Sequence, residues 1–503
     1  MSKKALPGVF LQNYWSVCFL NDLLAGQLCV EEESWKMGEG RSHYDMEDSD
    51  SLSAKLGRFW NRLTPTQIIP AGFILVILVG AFLLWLPISS KSGTPIPFSD
   101  CFFTATSATC VTGLIRFDTY VTWTFFGQLV LVILMEIGGV GFMTFAIVMM
   151  MAARQKIGLH SRRLQQDSIA APVVGGIVRM TRFVVKGTAI VEGTGALLLS
   201  FYFIPRQGFW NGLWSSVFHS VSAFCNAGFD LMGRYGPNSS LALCENNWYV
   251  VIIIMALISV GGFGFLVWKD LIDHRFHFKK LALQSKIVLV TSAILTFGGA
   301  TGIFLLEIGN PDFESMSVSG KIAGSLFQSV TCRTAGFSTL NLGAMSTAAQ
   351  FLMILLMLSG GSPGSTAGGM KTTTVAVLFL SVRTTGKQRK KVEAFHRSVD
   401  SETISTAVTV AILYIFSAIT VAMIISSVET GVSFQAAFFE SASAVATVGS
   451  TLGITPGLGM LSKLLLCGLM IFGRSGTVTV LTAMTRRDRN VASRYPQEEL
   501  SIG

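Results

Sequence analysis

The chain has 503 residues, half of them hydrophobic and only 13% charged, with a mean hydropathy of +0.56 and a formal net charge of +9. Soluble globular chains carry about 25% charged residues, so this composition excludes a soluble protein and indicates an integral membrane protein. The positive excess lies in short loops, where membrane topology accounts for it better than nucleic-acid binding does.

Residues 1–58 read as an N-terminal extension, cytoplasmic and surface-lying or disordered. They carry acidic clusters at Glu31-Glu32-Glu33 and at Asp45, Glu47, Asp48 and Asp50. The partly apolar run Phe10–Leu28 is interrupted by Asn13, Asn21 and Asp22, and no cleavable signal peptide is evident. Translation starting at Met46 would give the same reading.

Beyond the extension the chain repeats itself. A membrane-spanning helix needs about 20 mainly apolar residues. Eight segments qualify: Ile68–Pro87, Phe125–Met151, Gly187–Phe203, Trp248–Trp268, Ile287–Ile308, Ala349–Val382, Ile404–Ser427 and Leu461–Met484. Between the members of each pair lies a stretch too short to span: Phe98–Ala108, Asn211–Phe224, Ser319–Thr331 and Ser433–Val445. These read as re-entrant half-helices, each followed at once by a glycine motif centred on Gly113, Gly228, Gly336 or Gly449. The four glycines stand 115, 108 and 113 residues apart, the period of a whole supersecondary unit. The expected fold is an all-α integral membrane protein with eight transmembrane helices. It has four pseudo-fourfold repeats of helix, re-entrant pore helix, filter loop and helix, at 59–165, 166–280, 281–400 and 401–503. The third contains an intramembrane gating loop and the fourth ends in a short C-terminal tail.

Basic residues follow each second helix: Arg154, Lys156, Arg162 and Arg163; Lys269, Arg275, Lys279 and Lys280; Lys387, Arg389, Lys390, Lys391 and Arg397; Arg486, Arg487 and Arg489. Basic loops stay in the cytoplasm, which places both termini inside and brings the half-helices in from outside. The same clusters suit contact with anionic lipid.

Irregular backbone at membrane depth is tolerated only where it is buried or lines water. Its unpaired carbonyls can then replace the hydration shell of a cation. Glycine lets those carbonyls turn without a Cβ clash, and a half-helix entering from outside aims its partly negative C-terminus at the pore centre. The candidate filter is therefore Cys110, Val111, Thr112 and Gly113; Cys225, Asn226, Ala227 and Gly228; Arg333, Thr334, Ala335 and Gly336; and Ala446, Thr447, Val448 and Gly449. Side chains differ among the four and the glycine does not, which suits a site built from backbone oxygens.

Cys-Val-Thr-Gly-Leu (110–114), Asn-Ala-Gly-Phe-Asp (226–230), Arg-Thr-Ala-Gly-Phe-Ser-Thr (333–339) and Thr-Val-Gly-Ser-Thr-Leu-Gly (447–453) resemble the Trk/Ktr/HKT superfamily of potassium transporters. The chain is most similar to the bacterial Ktr-type membrane subunit, from about Trp60 to its end; the acidic extension departs from that pattern. The resemblance implies that each repeat gives one filter glycine. Gly113, where sodium-carrying relatives have serine, then implies potassium selectivity. It further implies a homodimer in the plasma membrane and a cytosolic regulatory ring with nucleotide-binding domains (KtrA-like). Potassium would be the transported substrate, with no cofactor in this chain, and a sodium- or proton-coupled symporter is the alternative.

A second motif recurs in the second helices: Gly138-Gly139-Val140-Gly141, Gly261-Gly262-Phe263-Gly264, Gly360-Gly361-Ser362-Pro363-Gly364 and Gly473-Arg474-Ser475-Gly476. Close packing through small residues accounts for the first two. The third runs on through Ser365, Thr366, Ala367, Gly368 and Gly369 to Met370 and Lys371, too rich in glycine for a regular helix. It resembles the family's intramembrane gate. Met370 between Gly369 and Lys371 excludes a phosphate-binding loop. Arg474 replaces a glycine in mid-helix, a costly position for a charge and so a functional one; it is expected below the filter, bonded to loop carbonyls. Glu136, Glu192, Arg333 and Glu440 are expected to pair structurally behind the filter, Arg333 with Glu440. The eight cysteines read as small buried hydrophobes, and the six histidines show no metal-ligand spacing. No paired aspartates or Ser-His constellation suggests an enzyme.

Overall fold

The computed structural model describes residues 65–476 except 142–143, 146, 148–176, 237–238, 245–246 and 390. The N-terminal extension with Met46, the basic segments after repeats 1 and 4, and the C-terminal tail lie outside the described residues.

Repeat 1 consists of α1 (Pro65–Trp85), the pore helix α2 (Phe98–Thr109) and α3 (Phe125–Val140). Repeat 2 consists of α4 (Ile177–Gln207), the pore helix α5 (Phe209–Cys225) and α6 (Trp248–Phe263), continued after a bend by α7 (Phe265–Asp273). Repeat 3 has α8 (Leu283–Glu307), the pore helix α9 (Val318–Thr331) and α10 (Thr347–Leu358), continued after a loop by α11 (Thr372–Gly386). Repeat 4 has α12 (Ser401–Val428), the pore helix α13 (Phe434–Val445) and α14 (Met460–Ser475). A two-residue antiparallel pair, β1 (Glu393–Ala394) with β2 (Arg397–Ser398), separates α11 from α12.

Local chemistry sets these boundaries. Ser317, Ser433 and Ser346 cap α9, α13 and α10 by accepting from the N–H groups of Gly320, Ala436 and Ala349, satisfying donors that a helix start leaves free. The first helix of each repeat is long and apolar enough to cross a membrane: Gln67–Trp85, Val178–Gln207, Leu283–Glu307 and Ser401–Val428.

The second helices differ from expectation. Hydropathy suggests unbroken spans, yet those of repeats 1, 2 and 4 break at the fourth position of their glycine motif, and that of repeat 3 ends at Leu358, just before its motif. Gly141, Gly264 and Gly476 have φ of 95°, 88° and 85°, a region that ends a right-handed helix; Gly364, inside the repeat 3 loop, has φ of 67°. In repeat 2 the break bends α6 from α7 by 92°. The first motif glycine does serve close packing. A Cβ on Gly138, Gly261 or Gly473 would lie 2.0, 2.1 or 2.0 Å from the carbonyl oxygen of Thr109, Phe224 or Val445, at the C-terminal end of the same repeat's pore helix.

At each seam between neighbouring repeats a polar contact runs between a second helix and the next pore helix. Trp214 Nε1 donates to Gln128 Oε1 at 2.8 Å, Trp248 Nε1 to Ser319 Oγ at 2.5 Å, and Gln435 Nε2 to Gln350 Oε1 at 2.5 Å. The fourth seam, from α14 back to α2, is ionic: Lys463 Nζ lies 2.7 Å from Asp100 Oδ1, and both side chains are largely buried. Arg116 Nε approaches the other Asp100 oxygen at 3.2 Å. These contacts close the four repeats into a ring.

Removing one partner of a buried ion pair strands the other charge, at a cost of about 3–5 kcal/mol. Because Arg116 still faces Asp100, Lys463→Ala should destabilise the protein toward the lower end of that range. Ser319→Ala, at an exposed seam, should cost no more than about 0.5 kcal/mol. Thermal unfolding of the purified variants checks this; equal melting temperatures would deny the ionic seam its role.

Candidate functional site: a glycine ring and the loop beneath it

The four filter glycines meet in chain order around one axis. A Cβ on Gly113 would lie 2.5 Å from the Ala227 carbonyl oxygen, on Gly228 2.7 Å from that of Ala335, on Gly336 2.4 Å from that of Val448, and on Gly449 1.9 Å from that of Thr112. Each glycine therefore abuts the residue before the next repeat's glycine, and the circle closes from the fourth to the first. Their φ angles are 93°, 70°, 81° and 90°. Two residues earlier, Val111, Asn226, Thr334 and Thr447 also have positive φ, at 55°, 59°, 79° and 53°. Non-glycine residues rarely hold this conformation, and a surrounding structure must enforce it.

The pore helices do the enforcing. The N–H groups of Thr112, Ala227 and Val448 donate back to the carbonyls of Ser107, Ser222 and Ser443, each at 2.8 Å, and Ala335 N donates to Thr331 O at 2.8 Å. Gly113 N and Gly449 N donate to the hydroxyls of Ser107 and Ser443, both at 3.0 Å. The loop donors are thus used by the helix behind them. Buried hydroxyls at Thr109, Thr112, Thr447 and Ser450 have no protein partner. Oxygens without a protein partner, like carbonyls at a loop, are the kind of donor that can replace a cation's hydration shell.

Beneath the ring, on the side to which the pore-helix C-termini point, runs the segment from Gly360 to Gly369. A Cβ on Gly369 would lie 2.7 Å from the Ala446 carbonyl, and one on Gly368 2.1 Å from Thr447 Oγ1. The loop also fills the break in repeat 2. Ser362 N donates to Gly262 O at 3.0 Å, Thr366 N to Gly261 O at 3.3 Å, and Phe265 N to Gly364 O at 2.8 Å. Thr366 Oγ1 donates to Phe224 O at 2.9 Å. Inside the loop, Gly360 N donates to Met370 O at 2.8 Å, and Ser365 Oγ to Ser362 O at 2.7 Å; Gly361 O accepts from Thr372 N at 3.0 Å. Lys371 Nζ reaches Ala367 O at 3.0 Å.

Arg474 ties this loop to the rest. Its Nη1 donates to Thr366 O, and its Nη2 to Gly138 O and, at 3.1 Å, to Gly139 O. The guanidinium therefore links repeats 1, 3 and 4. Buried Tyr414 donates to Gly473 O at 3.2 Å, next to Arg474 in the chain.

The expected Arg333–Glu440 pair does not form. Arg333 turns back onto α8, donating to Ser292 Oγ at 2.9 Å, Thr296 Oγ1 at 3.3 Å and Ser292 O at 3.4 Å. Glu440 accepts from Thr451 Oγ1, Thr455 Oγ1 at 2.9 Å and Leu452 N at 3.2 Å, so it braces the loop after Gly449. Each charge is closer to its own repeat's polar groups than to the other charge. Sequence reading also missed Ser107 and Ser443, each six residues before its filter glycine, a spacing that could have revealed them. His219 was another omission. Its Nε2 accepts from Leu231 N at 3.3 Å, and its ring stacks on Phe203 with centroids 5.0 Å apart, fixing the chain after Gly228. The six described cysteines are all buried.

Comparisons with known proteins agree on one family. Residues 53–493 match the family TrkH, described as cation transport protein. The chain is 37% identical over 453 residues to the potassium/sodium uptake protein NtpJ of Enterococcus hirae, covering 89% of this chain and 99% of the relative. It is 36% identical over 445 residues to the Ktr system potassium uptake protein B of Bacillus subtilis, covering 88% and 98%. Its fold is similar to the crystal structure of the potassium transporter TrkH from Vibrio parahaemolyticus, with a TM-score of 0.67 and 16% identity, over 86% of this chain and 90% of the other.

The ring leaves no room for a methyl group at Gly449, whereas nothing lies within 4 Å of a Cβ on Gly468. Gly449→Ala should therefore destabilise the protein by at least about 1–3 kcal/mol through overpacking and positive φ. Gly468→Ala, in a helix, should be neutral or slightly stabilising. Thermal unfolding of the two variants checks the contrast; equal effects would mean that the fourth loop does not abut the first.

Proposed function

The chain belongs to the TrkH cation transport family, and from that premise we propose that it takes up potassium across the plasma membrane through a channel-like pore. The similarity to two potassium uptake proteins supports the cargo. The ring of Gly113, Gly228, Gly336 and Gly449, each against the carbonyl before the next, is the observation that carries the mechanism.

Potassium enters from outside, sheds its water among the loop oxygens, and passes inward when the 360–369 segment withdraws. Selectivity rests on backbone carbonyls: Cys110 to Gly113, Cys225 to Gly228, Arg333 to Gly336 and Ala446 to Gly449 supply them. The pore helices point their partly negative C-termini at the ion, each with about half an elementary charge. An inward-negative membrane potential contributes about 2.3 kcal/mol per charge per 100 mV, so uptake needs no hydrolysis by this chain.

Gly360, Gly361, Ser362, Gly364, Ser365, Thr366, Ala367, Gly368 and Gly369 form the gate, and Arg474 is its latch. The latch acts in two ways. Its hydrogen bonds hold Thr366 to the repeat 1 break, and its fixed positive charge below the filter opposes a cation there. Withdrawal of the loop breaks these bonds and leaves a wet passage in which the freed carbonyls are hydrated.

Both termini face the cytoplasm, as the basic residues Lys269, Lys279, Lys280, Lys387, Lys391 and Arg397 indicate. A KtrA-like nucleotide-binding ring docks on that basic face and drives the loop, and two copies of the chain form a homodimer. The similarity to a Ktr system protein supports a regulated membrane subunit. The similarity to a potassium/sodium uptake protein makes sodium the coupling ion of the alternative, a symporter.

Proteoliposome flux tests the pore. Wild type should carry potassium in preference to sodium with no second ion present, and Gly113→Ser should reduce that preference by about tenfold or more, a change of about 1.4 kcal/mol. A strict requirement for sodium or protons would establish the symporter instead. Unaltered selectivity in Gly113→Ser would remove the first loop from the filter.

Arg474→Ala should raise potassium flux severalfold in the same assay, because both the latch bonds and the opposing charge are lost. Unchanged flux from a normally folded variant would deny Arg474 a gating role.

A further inference from the structure

A second constellation lies behind the filter, built from side chains rather than from the carbonyls of the ion pathway described above. Glu136 on α3, Glu192 on α4 and Cys225 at the end of α5 converge so that one donor atom from each lies within 4.8 Å of the others. Cys225 Sγ is 3.4 Å from Glu136 Oε2 and 3.8 Å from Glu192 Oε1. Among the described residues, no lysine, arginine or histidine makes an ion pair with either glutamate. Two carboxylates at membrane depth need compensation by a proton or a cation.

The surroundings favour a cation. Thr188 stands one helical turn before Glu192, and Ser222 one turn before Cys225, so helical spacing puts their hydroxyls on the faces that carry the cluster. Both side chains are more than nine-tenths buried, and neither hydroxyl has a partner. Tetrahedral zinc, with bonds of about 2.3 Å to sulfur and 2.0–2.2 Å to carboxylate oxygen, sets sulfur and oxygen about 3.5 Å apart. The two observed sulfur–oxygen distances bracket that separation. Both glutamates remain partly exposed.

We propose that Glu136, Glu192 and Cys225 bind a thiophilic divalent cation of the zinc class, with an unpartnered hydroxyl or a water completing the shell. Binding releases the thiol proton, since the thiolate is the ligand. The dipositive ion balances the carboxylates. The site adjoins the latch: a Cβ on Gly139 would lie 2.6 Å from Cys225 Sγ, and the Gly139 carbonyl accepts from Arg474. A bound ion stiffens this turn and keeps the loop in place, so it inhibits transport. That consequence rests on the gating role of Arg474, whereas the binding does not.

Cadmium is the probe, titrated into full-length, metal-stripped protein in detergent. Calorimetry and cadmium–thiolate charge-transfer absorption should report one tight site per chain. Glu136→Gln and Glu192→Gln should each weaken it by about tenfold or more. Both changes remove a buried charge while keeping side-chain shape, and thermal unfolding verifies the fold. No thiolate absorption in wild type, or tight binding that survives either replacement, would overturn the site and leave the carboxylates sharing a proton. Proteoliposome flux is read separately: cadmium should lower potassium flux in wild type and not in Glu192→Gln. Binding without any loss of flux would overturn the link to the gate while leaving the site standing.

Discussion

Polar backbone groups at membrane depth must find partners, and this requirement organises the molecule. The second helices of repeats 1, 2 and 4 break at glycines with positive φ, which frees carbonyls in the middle of the bundle. The carbonyls of Gly261 and Gly262 in repeat 2 are taken by N–H groups of the loop in repeat 3. Those of Gly138 and Gly139 in repeat 1 are taken by Arg474 of repeat 4. Trp268 Nε1 reaches back across the bend to Val260 O at 2.9 Å. The loop beneath the glycine ring therefore supplies the partners of the broken helix in repeat 2. Displacing the loop would strand those carbonyls unless water replaced its bonds.

The filter obeys the same requirement in reverse. Its N–H groups are consumed by the pore helices behind it, so its carbonyls have no partner along the chain. A dehydrated cation would supply what such a backbone lacks. The positive φ at Val111, Asn226, Thr334 and Thr447 is the strain this arrangement carries. Such strain persists only where neighbours over-determine the backbone, and here the neighbours are the pore helices behind the loops and the adjoining glycines of the ring.

Much of this was legible in the sequence. The half-helix segments lie within one or two residues of α2, α5, α9 and α13, because each is a short apolar run ended by a glycine motif. The convergence of Gly113, Gly228, Gly336 and Gly449 followed from their equivalent places. The breaks at Gly141, Gly264 and Gly476 were less legible, because hydropathy averages over about 20 residues and one glycine leaves it unchanged. The partners of Arg333 and Glu440 escaped notice because the search was for opposite charge, and both residues chose neutral groups nearby: Ser292 and Thr296, and Thr451 and Thr455. The meeting of Glu136, Glu192 and Cys225 depends on how three helices rotate against one another, which spacing along one helix cannot convey.

The ionic seam bears on how the molecule is made. Asp100 and Lys463 stand 363 residues apart, so during synthesis the carboxylate enters the membrane long before its lysine has left the ribosome. Arg116, only sixteen positions downstream, faces the same carboxylate and is present from the start. It gives Asp100 a counter-charge from within its own repeat. The other three seams use neutral partners and can mate as each new repeat emerges. The nascent protein is thus an open crescent that becomes a circle in a single late event.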